Sequence, residues 1–107
     1  MDITVQELKQ KLAAGETFIF IDVREQYEYD EYNLGARLIP LGEFAVRGAE
    51  ELDGHQDDEI IVHCRSGARS AMAQQILMGH GFTNVRNLIG GALAMMNDKG
   101  GDIVLRT

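Results

Sequence analysis

At 107 residues, with 45% hydrophobic and 25% charged positions, the chain fits one compact domain over residues 1–107 and is too short for two. A formal net charge of −7 excludes a general nucleic-acid or anionic-membrane surface, which would need a basic face. No apolar run is long enough to cross a bilayer, and the N-terminus lacks a basic stretch followed by an apolar one, so a cytoplasmic location is expected.

Thr4-Val5-Gln6-Glu7 has the pattern of a capping box, with Thr4 as N-cap, Glu7 reaching back to the Thr4 N–H, and Ile3 and Leu8 as the accompanying staple. Val5, Leu8 and Leu12 then share one helical stripe, and Gly15 stops the helix after Ala14. Phe18-Ile19-Phe20-Ile21 reads as a strand buried on both faces, closed by Asp22. The acidic stretches Glu25–Glu31 and Glu50–Glu59 read as solvated surface. Leu38-Ile39 is a short strand ended by Pro40, and Ile60-Ile61-Val62 a second fully buried one. Met72, Ala73, Ile76 and Leu77 predict a helix whose C-cap is Gly81, with Phe82 folding back; Met72 and Met78 are assigned to packing. Val85-Arg86-Asn87-Leu88 is a further strand, and Ile103-Val104-Leu105 a terminal strand or docked extension. Strands alternating with helices imply an α/β fold with a mainly parallel sheet and helices on both faces.

Cys64, the single cysteine, stands in Ile60-Ile61-Val62-His63-Cys64-Arg65-Ser66-Gly67-Ala68-Arg69-Ser70. One cysteine excludes an internal disulfide or a cysteine-rich zinc site, and His55, His63 and His80 lack metal-ligand spacing, so neither a metal nor a cofactor is expected. A lone cysteine is ordinarily a small buried hydrophobe. This one follows a strand and precedes a turn and a helix, the place where open α/β sheets hold their ligands. Thiolates are stabilised by converging N–H groups, helix N-termini and cations. Gly67 permits the backbone curl, the following helix offers its positive end, and Arg65 and Arg69 supply charge. His63 alternates away from Cys64 along the strand and is read as structural.

Four ordered segments carry a family resemblance: Phe20-Ile21-Asp22-Val23-Arg24-Glu25 through Tyr27-Glu28-Tyr29, Leu38-Ile39-Pro40-Leu41, the Cys64 segment, and Leu88-Ile89-Gly90-Gly91-Ala92. Together they resemble the single-domain rhodaneses, the thiosulfate sulfurtransferases. The resemblance implies a three-layer α/β/α fold and a two-step covalent reaction, in which Cys64 takes the outer sulfur of thiosulfate as a persulfide and passes it to cyanide or a thiol. It makes Cys64 the nucleophile and Arg65, Ser66, Gly67, Ala68 and Arg69 the substrate-binding loop. The N–H groups from Arg65 to Arg69 would stabilise the persulfide, and the two arginines would attract the dianion. Asp22 and Arg24 match an Asp-x-Arg signature and would support the loop by pairing with its groups, or form a structural ion pair. The implied partners are a small anionic sulfur donor and a thiol acceptor, either a small thiol or a thioredoxin-like protein, with no nucleic acid and no membrane. Asn33 stands where the family commonly has a histidine, a change expected to affect packing or a hydrogen bond.

Three other readings compete. Some cysteine phosphatases and arsenate reductases share this architecture, but the phosphatase signature is Cys-x5-Arg, and here four residues separate Cys64 from Arg69. The shorter loop favours a sulfur atom over a tetrahedral phosphoryl group. A non-catalytic module is disfavoured by the presence of Cys64. A persulfide relay carrier serving a biosynthetic partner would have the same loop as a thiosulfate enzyme.

Overall fold

The computed structural model describes residues 2–98. Its elements in chain order are α1 (Val5–Ala13), β1 (Ile19–Asp22), α2 (Gln26–Glu31), β2 (Arg37–Leu38), α3 (Leu41–Glu51), β3 (Ile60–His63), α4 (Ala68–Gly79), β4 (Val85–Asn87) and α5 (Gly91–Asn97). The strands form one sheet in the order β2-β1-β3-β4, with every pair parallel. The chain progresses outward in one direction from β1 to β2 and in the other from β3 to β4. The carboxyl ends of β1 and β3 therefore flank the crevice where such sheets bind ligands.

Both sheet faces are covered, as the unbroken apolar runs require. Ile21, Ile60 and Val62 pack with Phe44, Ala73 and Leu77 of α3 and α4, and Cys64 belongs to this cluster. Ile61 points the other way, with Phe20 beside it, into a cluster holding Val5 and Leu8 of α1 and Met95 of α5. The strand period thus sends Cys64 towards α4 and His63 to the opposite face, against the Phe20 ring at 5.3 Å.

The expected helix ends form with characteristic bonds. Thr4 Oγ1 accepts the Glu7 N–H at 3.1 Å, and Ile3 and Leu8 are both fully buried. The Glu7 carboxylate goes to Arg86 instead of closing the box. At the end of α4 the Phe82 N–H reaches Leu77 O at 3.1 Å and the Gly81 N–H reaches Met78 O at 3.1 Å, which is a Schellman motif with Phe82 and Leu77 in one core cluster.

Several expectations change. Ser70, Ala73, Gln74 and Leu77 form the covered face of α4, whereas Met72 and Met78 are exposed and do not pack. The short second strand is Arg37–Leu38, paired with Ile21 and Asp22 and set one residue earlier than its apolar residues suggest, although the Ile39 N–H still bonds Asp22 O at 2.9 Å. Helices α3 and α5 had no assignment from the sequence. Ile103-Val104-Leu105 lies outside the described residues.

Candidate active site

The β3 backbone ends at His63, and the next residue opens the loop that carries Cys64 across the switch point. Gly67 sits at φ 111° as the N-cap of α4, in the left-handed region that only glycine occupies freely. This turn brings the Gly67 N–H to 3.1 Å from Cys64 Sγ, and the first turn of α4 places the Ser70 hydroxyl 3.4 Å from the same atom. The cysteine is 1% exposed, so the sulfur lies beneath the loop. Burial pushes the thiol up, but the Ser70 hydroxyl and the backbone N–H groups of Ser70, Gly67 and Ser66 together outweigh it and hold the thiol below its ordinary value.

Of the five loop residues, Ser66 and Gly67 contribute N–H groups to sulfur. Arg65 is exposed and forms no ion pair or hydrogen bond through its side chain among the described residues, and Ala68 begins α4. Arg69 is engaged elsewhere: its Nη1 and Nη2 donate to Glu28 Oε1 and Oε2 at 2.7 and 2.9 Å. Glu28 therefore is not simple acidic surface; Arg69 holds its carboxyl at about 2. Glu28 Oε1 also accepts the Glu25 N–H at 2.9 Å, which anchors it to the start of α2.

Asp22 and Arg24 do not bond the cysteine loop directly. Asp22 accepts from Arg24 Nε and Nη2 and from the Arg24 N–H, a pair buried at the end of β1. Arg24 also donates to the carbonyls of Tyr32 and Glu28, fixing the chain around α2. Arg24 reaches the loop's Arg69 through Glu28, and Asp22 lies against His63, the residue before Cys64. Asn33 makes a local turn, donating to Tyr29 O and accepting the Gly35 N–H. His63 is fully buried, with Nδ1 3.2 Å from the Cys64 carbonyl and Nε2 3.5 Å from Asp22. Burial lowers its pKa against the opposing pull of Asp22, which leaves the ring neutral at pH 7.

Sequence reasoning gave no role to Ser70 or Asn87, and quoted the late glycine motif without a contact for it. Ser70 and Asn87 form a buried pair, Oγ to Oδ1 at 2.5 Å, and Asn87 Nδ2 also donates to Gly67 O at 3.1 Å. The start of α5, just after the late glycines, buttresses the loop: the Ala92 and Leu93 N–H groups donate to Cys64 O and Arg65 O at 2.9 and 3.0 Å. A Cβ on Gly91 would lie 2.6 Å from those carbonyl oxygens, so only glycine allows this approach. The paired glycines and the helical spacing from Gly67 to Ser70 were the available signals. Among the described residues no cluster of His, Cys, Asp or Glu could hold a metal, and no helix is long and apolar enough to cross a membrane.

Residues 4–98 match the model of the rhodanese-like domain. The chain is 40% identical over 84% of its length to a Bacillus subtilis protein named as a candidate sulfur carrier, YrkF, of which it spans 48%. It is 33% identical over 87% of its length to a sulfurtransferase of Allochromatium vinosum, spanning 85% of that protein. The chain thus spans about half, or less, of the first relatives it matches. A rhodanese-related protein of Thermoplasma volcanium superposes with a TM-score of 0.78 at 25% identity, over 92% of each chain.

Proposed function

The chain belongs to the rhodanese-like domain family, and from that premise we propose that it is a sulfurtransferase working through a persulfide on Cys64. The observation that carries the reading is the donor set around Sγ: the Gly67 N–H at 3.1 Å and the Ser70 hydroxyl at 3.4 Å, at the N-terminus of α4. With thiosulfate as donor, the thiolate attacks the outer sulfur, the S–S bond breaks, sulfite departs with the electron pair, and the sulfane sulfur remains on Cys64. A thiol or cyanide then attacks that outer sulfur and restores the thiolate. The N–H groups of Ser66, Gly67 and Ser70 stabilise the anion in both steps, and Arg65, without a side-chain partner among the described residues, supplies positive charge at the loop. Asp22 and Arg24 act as supporting residues by holding α2 and, through Glu28, Arg69. A reduced single thiol of this kind suits a cytoplasmic setting. The names of the relatives favour sulfur transfer or carriage as the general activity, and a relay role within a longer assembly uses the same chemistry.

The test is to incubate the purified protein with thiosulfate, weigh it for one added sulfur atom, and measure thiocyanate after adding cyanide. Cys64→Ser should lose both signals, and full turnover by that variant would end the proposal. Arg65→Ala should weaken thiosulfate use more than use of a neutral donor. Robust Cys64-dependent hydrolysis of an aryl phosphate would favour the phosphatase reading over the loop-length argument.

A further inference from the structure

A free dianion such as thiosulfate would be drawn by both loop arginines, but Arg69 is already paired. Arg69 is gripped by two parallel hydrogen bonds from Glu28, a geometry that fixes direction as well as charge. Glu28 cannot easily turn away, because Oε1 is also bonded to the Glu25 N–H at the start of α2. Its carboxyl, held at about 2 by Arg69, stays ionised through the neutral range. That leaves Arg65 as the cation without a side-chain partner at the loop among the described residues, with the exposed Glu31 also lining the adjoining cleft.

That cleft has a volume of about 240 Å³, and Tyr27, Tyr32, Leu93, Met96, Arg65 and Glu28 border it. It shares a wall with the loop, since the Leu93 N–H bonds Arg65 O. Tyr27 and Met96 present apolar surface at 66% and 52% exposure. The Tyr32 hydroxyl is buried against the cleft with no hydrogen-bond partner among the described residues. Thiosulfate has no group to cover the apolar wall, whereas a donor with a carbon portion has one.

We infer that Glu28 is a specificity-determining residue: by withdrawing Arg69 it disfavours small dianionic donors and matches the site to an organic persulfide, R–S–SH, whose carbon portion lies along Tyr27, Leu93 and Met96. This rests on sulfur transfer through Cys64 and narrows its donor. The Cys64 thiolate attacks the terminal sulfur of R–S–SH, the S–S bond breaks, and R–S⁻ leaves with the electron pair. The products are Cys64–S–SH and the free thiolate, with no net oxidation.

The experiment measures kcat and KM with three donors: thiosulfate, cysteine persulfide, and a persulfidated cysteine peptide, the last two separating small-molecule from polypeptide sources. In the unaltered protein, kcat/KM for at least one persulfide should exceed that for thiosulfate by tenfold or more. Glu28→Gln should lower the thiosulfate KM about tenfold, the factor expected from one freed charge near a dianion in a watery setting. It should move both persulfide KM values by less than threefold, so that the donors separate. Adding Arg69→Gln to Glu28→Gln should erase the gain. Met96→Ala should raise the persulfide KM about threefold and leave that for thiosulfate alone. Preference of the unaltered protein for thiosulfate overturns the inference without the need for a variant. So does a well-folded Glu28→Gln protein whose donors all change alike or whose thiosulfate KM does not move. No sulfur uptake from any donor would instead overturn sulfur transfer itself.

Discussion

Replacing Ser70 by alanine isolates the side-chain contribution to the Cys64 thiolate. The hydroxyl has one proton and three neighbours: Asn87 Oδ1 at 2.5 Å, Gly67 O at 3.2 Å and Sγ at 3.4 Å. In the thiol state the proton belongs to Asn87, the nearest acceptor; when sulfur ionises, turning to it forms a charge-assisted bond at the expense of that one. The net gain therefore lies near the lower limit for bonds to charged groups, about 1.4 kcal/mol. Losing it reduces the thiolate fraction about tenfold wherever the thiol form dominates. The remaining thiolate is more basic, and with a Brønsted slope of about 0.5 it is about threefold more nucleophilic. Ser70→Ala should then react with a small disulfide reagent about threefold more slowly at low pH and about threefold faster at the alkaline limit, with crossing profiles. Rates from pH 5 to 10, followed by intact mass, check this, and urea unfolding accounts separately for the buried Asn87 left without its donor. Profiles that superimpose would refute the assignment of Ser70 as a thiolate donor.

Gly91→Ala should destabilise the fold by about 2–4 kcal/mol in urea unfolding, since its Cβ meets loop backbone at 2.6 Å with φ at 60°, adding overpacking to left-handed strain. Gly35→Ala, with φ at 84° and open space around it, should cost only about 1 kcal/mol and serves as the control. Glu28 is ionised more readily when folded, at about 2 against an ordinary 4.5, so its pairing stabilises the protein fully above 4.5 and is lost as pH falls towards 2. Arg69 is 33% exposed and water screens the pair, so the stability gap between the unaltered protein and Glu28→Gln should be about 1 kcal/mol at pH 7 and close below pH 4.5. Equal gaps at pH 7 and pH 2.5 would contradict this.

The sequence alone determined the alternation of elements and the place of the reactive sulfur. Phe18–Ile21 and Ile60–Val62 are legible because strands buried on both faces show unbroken apolar runs, and Gly15 and Gly81 because a left-handed helix end is a local demand. Cys64 is legible because strand, turn and helix adjoin it in the chain. Helix α3 was hidden by Gly42, Gly48 and a Val46 that is 86% exposed, which blur its apolar period.

Only the tertiary structure decided what surrounds that sulfur. The Arg69–Glu28 pair joins residues 41 positions apart, and the Ser70–Asn87 pair residues 17 apart. Arg65 and Arg69 look equivalent as letters, yet among the described residues Arg65 has no side-chain partner while Arg69 is paired with Glu28. Likewise Gly91 shows its purpose only where its backbone meets the cysteine loop. Local patterns encode backbone geometry and burial, because those depend on near neighbours; the charge that reaches a donor depends on which distant side chain the fold brings alongside.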